Sequence, residues 1–206
     1  MLNQNFAVLA ALISLVGNAS YAWDTLKGAT QPNRVSWTLW MLAPLVAFAA
    51  ELAEKADLKV ALLTLAIGTG PLLVLIASSL NRQSYWEATR LDIACAAVSL
   101  LALILWGVSR SGNTAIIFSI LADLFAATPT ILKAYRHPES ESVSTFIGSL
   151  IGGLITLFTI KRWTFATYAF PAYILIVETS IVFLLIASRS KQRVSSVVSS
   201  SADFGL

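Results

Sequence analysis

Long apolar runs separated by short polar segments divide the chain up to about residue 187. A helix needs ~20 mainly apolar residues to cross a membrane, because no water satisfies backbone groups in the hydrocarbon layer. The break at 51–59 has no Gly or Pro, but its five charged residues make it a poor occupant of that layer. The pattern predicts an all-α integral membrane fold of seven transmembrane helices, at about 6–25, 35–52, 58–80, 88–108, 113–133, 143–160 and 166–187.

Two of the polar breaks repeat one pattern. The spacing Lys, four residues, Pro, three residues, Ser begins at Lys27 and again at Lys133. The first copy follows span 1 and the second follows span 5, so an even number of crossings separates two units that point the same way. The strings "LIASSLNRQ" at 75–83 and "LIASRSKQR" at 185–193 end the third span of each unit.

This repeat predicts two parallel three-helix bundles joined by span 4, a 3+1+3 arrangement. Parallel repeats related by an axis along the membrane normal are a known transporter architecture. The serine-rich end of the chain is predicted to be a disordered cytoplasmic tail. The predicted units are a first triple-helix repeat at 1–83, an inversion linker helix at 84–111, a second triple-helix repeat at 112–188 and the tail at 189–206.

Composition agrees with a membrane protein and excludes several functions. The chain is 57% hydrophobic and 12% charged, whereas roughly a quarter of the residues in soluble domains are charged. The single Cys95 excludes a disulfide framework and a thiolate metal cluster. The basic residues are scattered, which argues against nucleic-acid binding. No nucleotide motif and no metal-ligand cluster occurs, so we expect no cofactor, no metal and no ATP-driven pumping.

The basic residues also predict an orientation. With the N-terminus outside, nine Lys and Arg residues fall on the inner side and five on the outer side. The positive-inside rule then favours an outer N-terminus, a cytoplasmic C-terminus and a plasma or inner membrane. The inner set is Lys27, Arg34, Arg82, Arg90, Lys133, Arg136, Arg189, Lys191 and Arg193, and the outer set is Lys55, Lys59, Arg110, Lys161 and Arg162.

The segment "TPTILKAYRHPESESVSTF", with the 3+1+3 order, resembles the SWEET and PQ-loop (MtN3-like) transporter superfamily as a divergent, bacterial-type member. Members carry a proline in the first helix of each repeat, then a basic residue and a Ser-rich entry to the next helix. Pro129, Lys133, Ser142 and Ser144 fit this order, and Trp23 stands at the proline position of the first repeat. The resemblance implies secondary transport of a small polar solute, such as a sugar or an amino acid.

Polar residues within the apolar runs are the candidate site. Ionisable groups in a bilayer are costly, by ~2.5–3.5 kcal/mol on insertion scales, so they usually face a cavity or a partner. Asp123 and Glu178 lie near the middle of spans 5 and 7, and Asn18, Ser14 and Thr69 lie at comparable depth. We expect them to bind substrate or to couple protons, because a carboxyl with no fixed cation nearby can gain and lose a proton. Hydrogen bonding between helices is the alternative.

Prolines and aromatic residues allow two interpretations each. Proline removes a backbone donor and loosens a helix, so it can act as a hinge or be a static kink. Trp37 and Trp40 are predicted to anchor span 2 at the membrane interface, with stacking on a solute as the alternative. The candidate hinges are Pro44, Pro71, Pro129 and Pro171.

The polar stretch around His137 has the residue types of a hydrolase triad, but a triad is usually assembled from separate segments around a pocket. No catalytic residue is therefore predicted, and an enzyme is disfavoured. Ser142 or Ser144 is expected to cap the next helix, with Lys133 and Arg136 on the inner side as topology anchors.

Two functions remain open. The first is a secondary transporter, whose partners would be the lipid bilayer, a small polar solute and protons. The alternative is a membrane-embedded binding or sorting receptor on the same scaffold without transport, since the KDEL receptor shares the SWEET-like architecture without being a sugar carrier. Oligomerisation is left open.

Overall fold

The computed structural model describes residues 6–53, 58–84, 86–109 and 112–203. Within them it contains seven α-helices, close to the predicted spans, and a short 3₁₀ turn. The all-α prediction is thus confirmed for this part of the chain. The elements are α1 (Phe6–Leu26), α2 (Arg34–Ala53), α3 (Leu58–Leu80), α4 (Arg90–Val108), α5 (Gly112–Arg136), the turn Pro138–Ser140, α6 (Ser144–Thr159) and α7 (Phe165–Asp203).

Among the described residues, three helical segments are long and apolar enough to cross a membrane, as expected of a membrane protein. They are Arg90–Val108, Asn113–Arg136 and Thr167–Ser190. Shorter apolar segments occur in α2, α3 and α6. The seven-span topology and its orientation stay predictions.

The helix contacts follow the same order in both halves of the chain. α3 lies between α1 and α2, and α7 lies between α5 and α6. Across the halves, α1 packs against α6 and α2 packs against α5. If α1, α2 and α3 are exchanged with α5, α6 and α7 in that order, the same set of helix contacts results. α4 packs against α5 and touches α2.

Side-chain hydrogen bonds show which helix ends lie together. Asn81, directly after α3, donates to the carbonyl oxygens of Thr25 and Leu26 at the end of α1, at 3.2 and 3.0 Å. Arg189 of α7 donates to the carbonyl oxygen of Pro138, just after α5, at 3.1 Å. In each half, the first and third helices therefore run in the same direction.

The segments 27–33 and 137–143 lie together at one end of the bundle, which we call the loop end. The backbone N–H of Gln31 donates to the carbonyl oxygen of Ser140 at 2.8 Å, so the two segments contact each other directly. In the first segment, the Asn33 carboxamide oxygen accepts the N–H of Val35 at 3.0 Å and caps α2.

α7 is longer than the sequence predicts. It continues to Asp203, through most of the segment 189–206 for which composition predicts disorder. No Gly or Pro occurs between Arg189 and Asp203 to stop the helix. The predicted break at 51–59 is described only at its edges, where α2 ends at Ala53 and α3 begins at Leu58.

Candidate functional site

A cavity of about 670 Å³ lies within the bundle, and residues from all seven helices line it. It brings together four of the five predicted site residues, namely Ser14, Asn18, Asp123 and Glu178. Thr69 lies outside the lining, on partly buried α3 surface. The volume falls in the ~300–1,000 Å³ range of small-molecule pockets.

Asp123 lies on the α5 side of the cavity. The hydroxyl of Tyr173, from α7, donates to its Oδ2 at 2.8 Å. The side chain of Trp40, from α2, lies close to the same carboxyl group. Both neighbours can donate one hydrogen bond and carry no positive charge at neutral pH. Within the described part of the chain, Asp123 is therefore stabilised by neutral donors and not by an ion pair.

Glu178 lies on α7, close enough to Asp123 for the two carboxyl groups to interact electrostatically. Its Oε2 atom is buried and has no hydrogen-bond partner in the described structure. Most buried polar atoms in proteins are paired, and each exception requires an explanation. Glu178 therefore lines the cavity while one of its carboxyl oxygens is buried without a hydrogen-bond partner.

Asn18 joins three helices at the cavity wall. Its Nδ2 donates to the carbonyl oxygen of Ser14 at 2.8 Å, and its Oδ1 accepts the Thr145 hydroxyl of α6 at 3.2 Å. On its other side it packs on α3 at Gly70, where a Cβ atom would lie 2.7 Å from the Asn18 Cγ. The carboxamide is thus already bonded at both ends.

Glycines bring α1 and α6 close together along this wall. A Cβ atom on Gly148 would lie 3.1 Å from the Ile13 carbonyl oxygen, and one on Gly152 would lie 2.7 Å from the Ser14 hydroxyl oxygen. Gly17, later in α1, lies against Ser144 at the start of α6, whereas Ala10, earlier in α1, lies against Gly152, so the two helices are antiparallel. Small residues at helix interfaces permit this approach in membranes.

The candidate hinge prolines all lie inside helices. Pro44, Pro71 and Pro171 line the cavity, whereas Pro129 is buried in α5 away from it. Three of the four therefore lie where a change in helix bend would alter the cavity.

Three aromatic rings close the cavity toward the loop end. Trp37 and Phe146 line the cavity, and both contact Tyr21 behind them. The centroid of the Tyr21 ring lies 4.9 Å from that of Trp37 and 6.4 Å from that of Phe146. We call Tyr21, Trp37 and Phe146 the aromatic floor.

A buried ion pair lies beneath the aromatic floor. The Lys133 ammonium is 2.8 Å from Glu141 Oε1, and the Tyr21 hydroxyl donates to Glu141 Oε2 at 2.6 Å. Lys133 and Glu141 are only 2% and 1% exposed. Lys133 also donates to the carbonyl oxygen of Gln31 across the loop end. Lys133 is therefore buried within the protein, where its partner Glu141 compensates its charge, and its role as a topology anchor stays a prediction.

At the start of α6, Val143 occupies the cap position, with an α-helical backbone and no side-chain cap bond. The Ser142 hydroxyl oxygen accepts the N–H of Ser144, the first residue of α6, at 3.5 Å, and the two serine hydroxyls hydrogen bond to each other at 2.9 Å. Arg189 donates to the carbonyl oxygen of Glu141 nearby.

Sequence reasoning missed several residues of this site. Tyr173 is one tyrosine in an apolar run, and nothing in its spacing indicates Asp123 as its partner. Trp37 and Trp40 are buried or line the cavity, whereas they were predicted to be interface anchors. Glu141 had one usable signal: a glutamate between two apolar helices, eight residues after a lysine.

The described residues contain no group of three or more His, Cys, Asp or Glu side chains that could hold a metal ion. Comparison with protein-family models, with curated proteins and with solved structures finds no match for this chain.

Proposed function

We propose that the protein is a secondary transporter for a small polar solute. The observation that carries the proposal is the cavity, which all seven helices line and which contains both intramembrane acids. Secondary transporters bind their substrates near the membrane midplane, at the interface of their two repeats. SWEET-like and PQ-loop-like membership is part of this proposal.

The proposed architecture is 3+1+3, with α1–α3 and α5–α7 as parallel units and α4 as the linker. The helix contacts support it, since they are unchanged when the two units are exchanged. The shared direction of first and third helices in each unit also supports it. In the proposed orientation, the loop end faces the cytoplasm.

The proposed mechanism is alternating access. The aromatic floor and the buried Lys133–Glu141 pair close the loop end. Transport then requires a second conformation in which segments 27–33 and 137–143 separate. Rocking of one repeat against the other would provide it, with the helix prolines as candidate hinges.

Labelling of single cysteines tests this mechanism, because Cys95 is the only native thiol. In a Cys95→Ala background, Ser119→Cys places a thiol in the cavity and Ser36→Cys places one at the closed loop end, where Ser36 is fully buried. In the described conformation, a thiol reagent should modify position 119 and not position 36. A transported solute should slow labelling at 119 and accelerate it at 36.

The same experiment distinguishes the receptor from the transporter. If position 36 stays unreactive with every solute in a panel of sugars, amino acids and amines, alternating access is contradicted. Protection of position 119 alone would then favour a receptor that binds without transporting. The Cys95→Ala protein without an added cysteine gives the background.

Proton coupling through Asp123 and Glu178 gives a further prediction. The titratable groups around the two carboxyls are Tyr173 and each other, and no Lys, Arg or His is among the described lining residues. In liposomes, a transported solute should move protons, reported by an internal pH dye. Asp123→Asn and Glu178→Gln should each abolish solute-driven proton movement, because an amide cannot exchange the proton.

The matched control is Glu87→Gln, which removes an exposed acid outside the cavity. It should retain wild-type proton movement. If the Asp123→Asn and Glu178→Gln proteins still move solute with unchanged pH dependence, proton coupling through these carboxyls is wrong.

A further inference from the structure

The charges that line the cavity are all acidic. Asp123 and Glu178 contribute two carboxyl groups, and the described lining contains no basic side chain. An anionic solute would add a third negative group to this space. A neutral solute would not reduce the repulsion between the two carboxylates, so only protonation of one of them could relieve it.

Glu178 requires a hydrogen-bond donor. The carboxyl of Asp123 already accepts from Tyr173, whereas the buried Oε2 of Glu178 has no partner in the described structure. Leaving a buried acceptor unpaired costs free energy, and a charged donor forms the strongest bond with a carboxylate. A protonated amine supplies both the N–H group and the positive charge.

Aromatic rings form part of the remaining cavity wall. Trp40, Trp106 and Phe170 line it together with the carboxyls. The Phe170 ring is 5.9 Å from the ring of Tyr173, which links this wall to Asp123. The faces of aromatic rings attract ammonium groups, most strongly where water is excluded.

We propose that the cavity binds a small organic cation carrying a protonated primary or secondary amine. The ammonium N–H donates to the Glu178 carboxyl group, one ionised carboxyl balances its charge, and the aromatic wall packs around the ammonium-bearing carbon atoms. This inference rests on the proposed function and specifies the class of its solute. The cavity volume of about 670 Å³ leaves room for polar groups beyond the amine.

Two matched pairs of compounds test the proposal: ethanolamine against ethylene glycol, and glucosamine against glucose. In each pair, one ammonium replaces one hydroxyl. Binding is measured on the purified full-length protein as a rise in the thermal unfolding midpoint, at constant ionic strength. At least one ammonium compound should bind about tenfold more tightly than its hydroxyl partner, the gain from one charge-assisted hydrogen bond.

Glu178→Gln should abolish this preference, and Asp123→Asn should weaken it. Both changes keep the shape of the side chain and remove a potential buried charge, so the proteins should fold. Glu87→Gln, at an exposed position, should keep the wild-type preference. Sodium chloride at the same concentration should cause no rise, because a bare ion lacks an N–H donor.

Equal or tighter binding of the hydroxyl compounds would overturn the amine proposal, and so would the absence of binding by either amine. The proposal is also wrong if sodium raises the unfolding midpoint as much as the amines do, or if the preference for amines persists in the Glu178→Gln protein. These outcomes leave the transport proposal to the labelling experiment. Conversely, if amines bind but the Ser36→Cys thiol stays unreactive, the amine site is supported and alternating access is contradicted.

Discussion

Replacing Lys133 by methionine is expected to lower the free energy of unfolding by about 3–5 kcal/mol, the usual cost of breaking a buried ion pair. Lys133 and Glu141 lie 2.8 Å apart and are almost completely buried. Methionine has a similar shape and no charge, so it leaves the Glu141 carboxylate buried without its cation. The measurement is the unfolding free energy in detergent micelles.

Lys27→Met is the matched control, because Lys27 occupies the same place in the first copy of the repeated pattern. Lys27 is exposed and lies over the Trp23 ring, 4.8 Å from its centroid. Its loss should change stability by no more than about 0.5 kcal/mol. Equal effects of the two substitutions would contradict the buried ion pair.

A double variant separates the pair from its surroundings. Glu141→Gln alone should also destabilise the protein, because it leaves the Lys133 ammonium buried. Lys133→Met with Glu141→Gln should cost less than the sum of the two single changes, since residues in contact are not additive. Lys133→Met should also accelerate labelling of Ser36→Cys, because Lys133 bonds Gln31 across the loop end.

Gly17→Ala is expected to destabilise the protein by about 1–3 kcal/mol, the typical cost of overpacking. A Cβ atom there would lie 2.8 Å from the Ser144 carbonyl oxygen and 3.2 Å from the Thr145 Cα. Both are backbone atoms of α6, so no side-chain rotation relieves the clash and the two helices must separate. Thermal unfolding in the same micelles measures the effect.

Two other glycines make this prediction specific. Gly107 in α4 has no atom within 4 Å of the Cβ position, so Gly107→Ala should cause no loss. Gly152 faces the Ser14 hydroxyl oxygen, which can rotate away, so Gly152→Ala should cost less than Gly17→Ala. If Gly17→Ala behaves like Gly107→Ala, α1 and α6 are not in close backbone contact.

The buried ion pair shows why part of the site was not predictable. Lys133 and Glu141 are eight residues apart in a stretch whose charges resemble those of an exposed turn. Their burial depends on Tyr21 and Gln31, more than a hundred residues earlier. The repeated pattern of Lys, Pro and Ser also suggests equivalent lysines, yet one is exposed and the other is buried.

The candidate acids were predictable because their signal is local. A carboxyl group in a long apolar run is unusual, so Asp123 and Glu178 could be selected without knowing their neighbours. Tyr173 and Trp40 could not, since tyrosine and tryptophan are common near membrane interfaces and their sequence positions do not indicate what they contact.

The sequence by itself determined that this is a membrane protein of apolar helices, where those helices begin and end to within a few residues except at the end of α7, and which acids lie within them. These properties depend on the hydrophobicity of each segment by itself, because the bilayer accommodates only apolar segments whose backbone groups are hydrogen bonded within them. Only the tertiary structure decided that α3 and α7 lie centrally in their halves, that one cavity collects Asp123 and Glu178, and that a buried Lys133–Glu141 pair closes the loop end. These features depend on contacts between distant segments, where the shapes and charges of both partners act together.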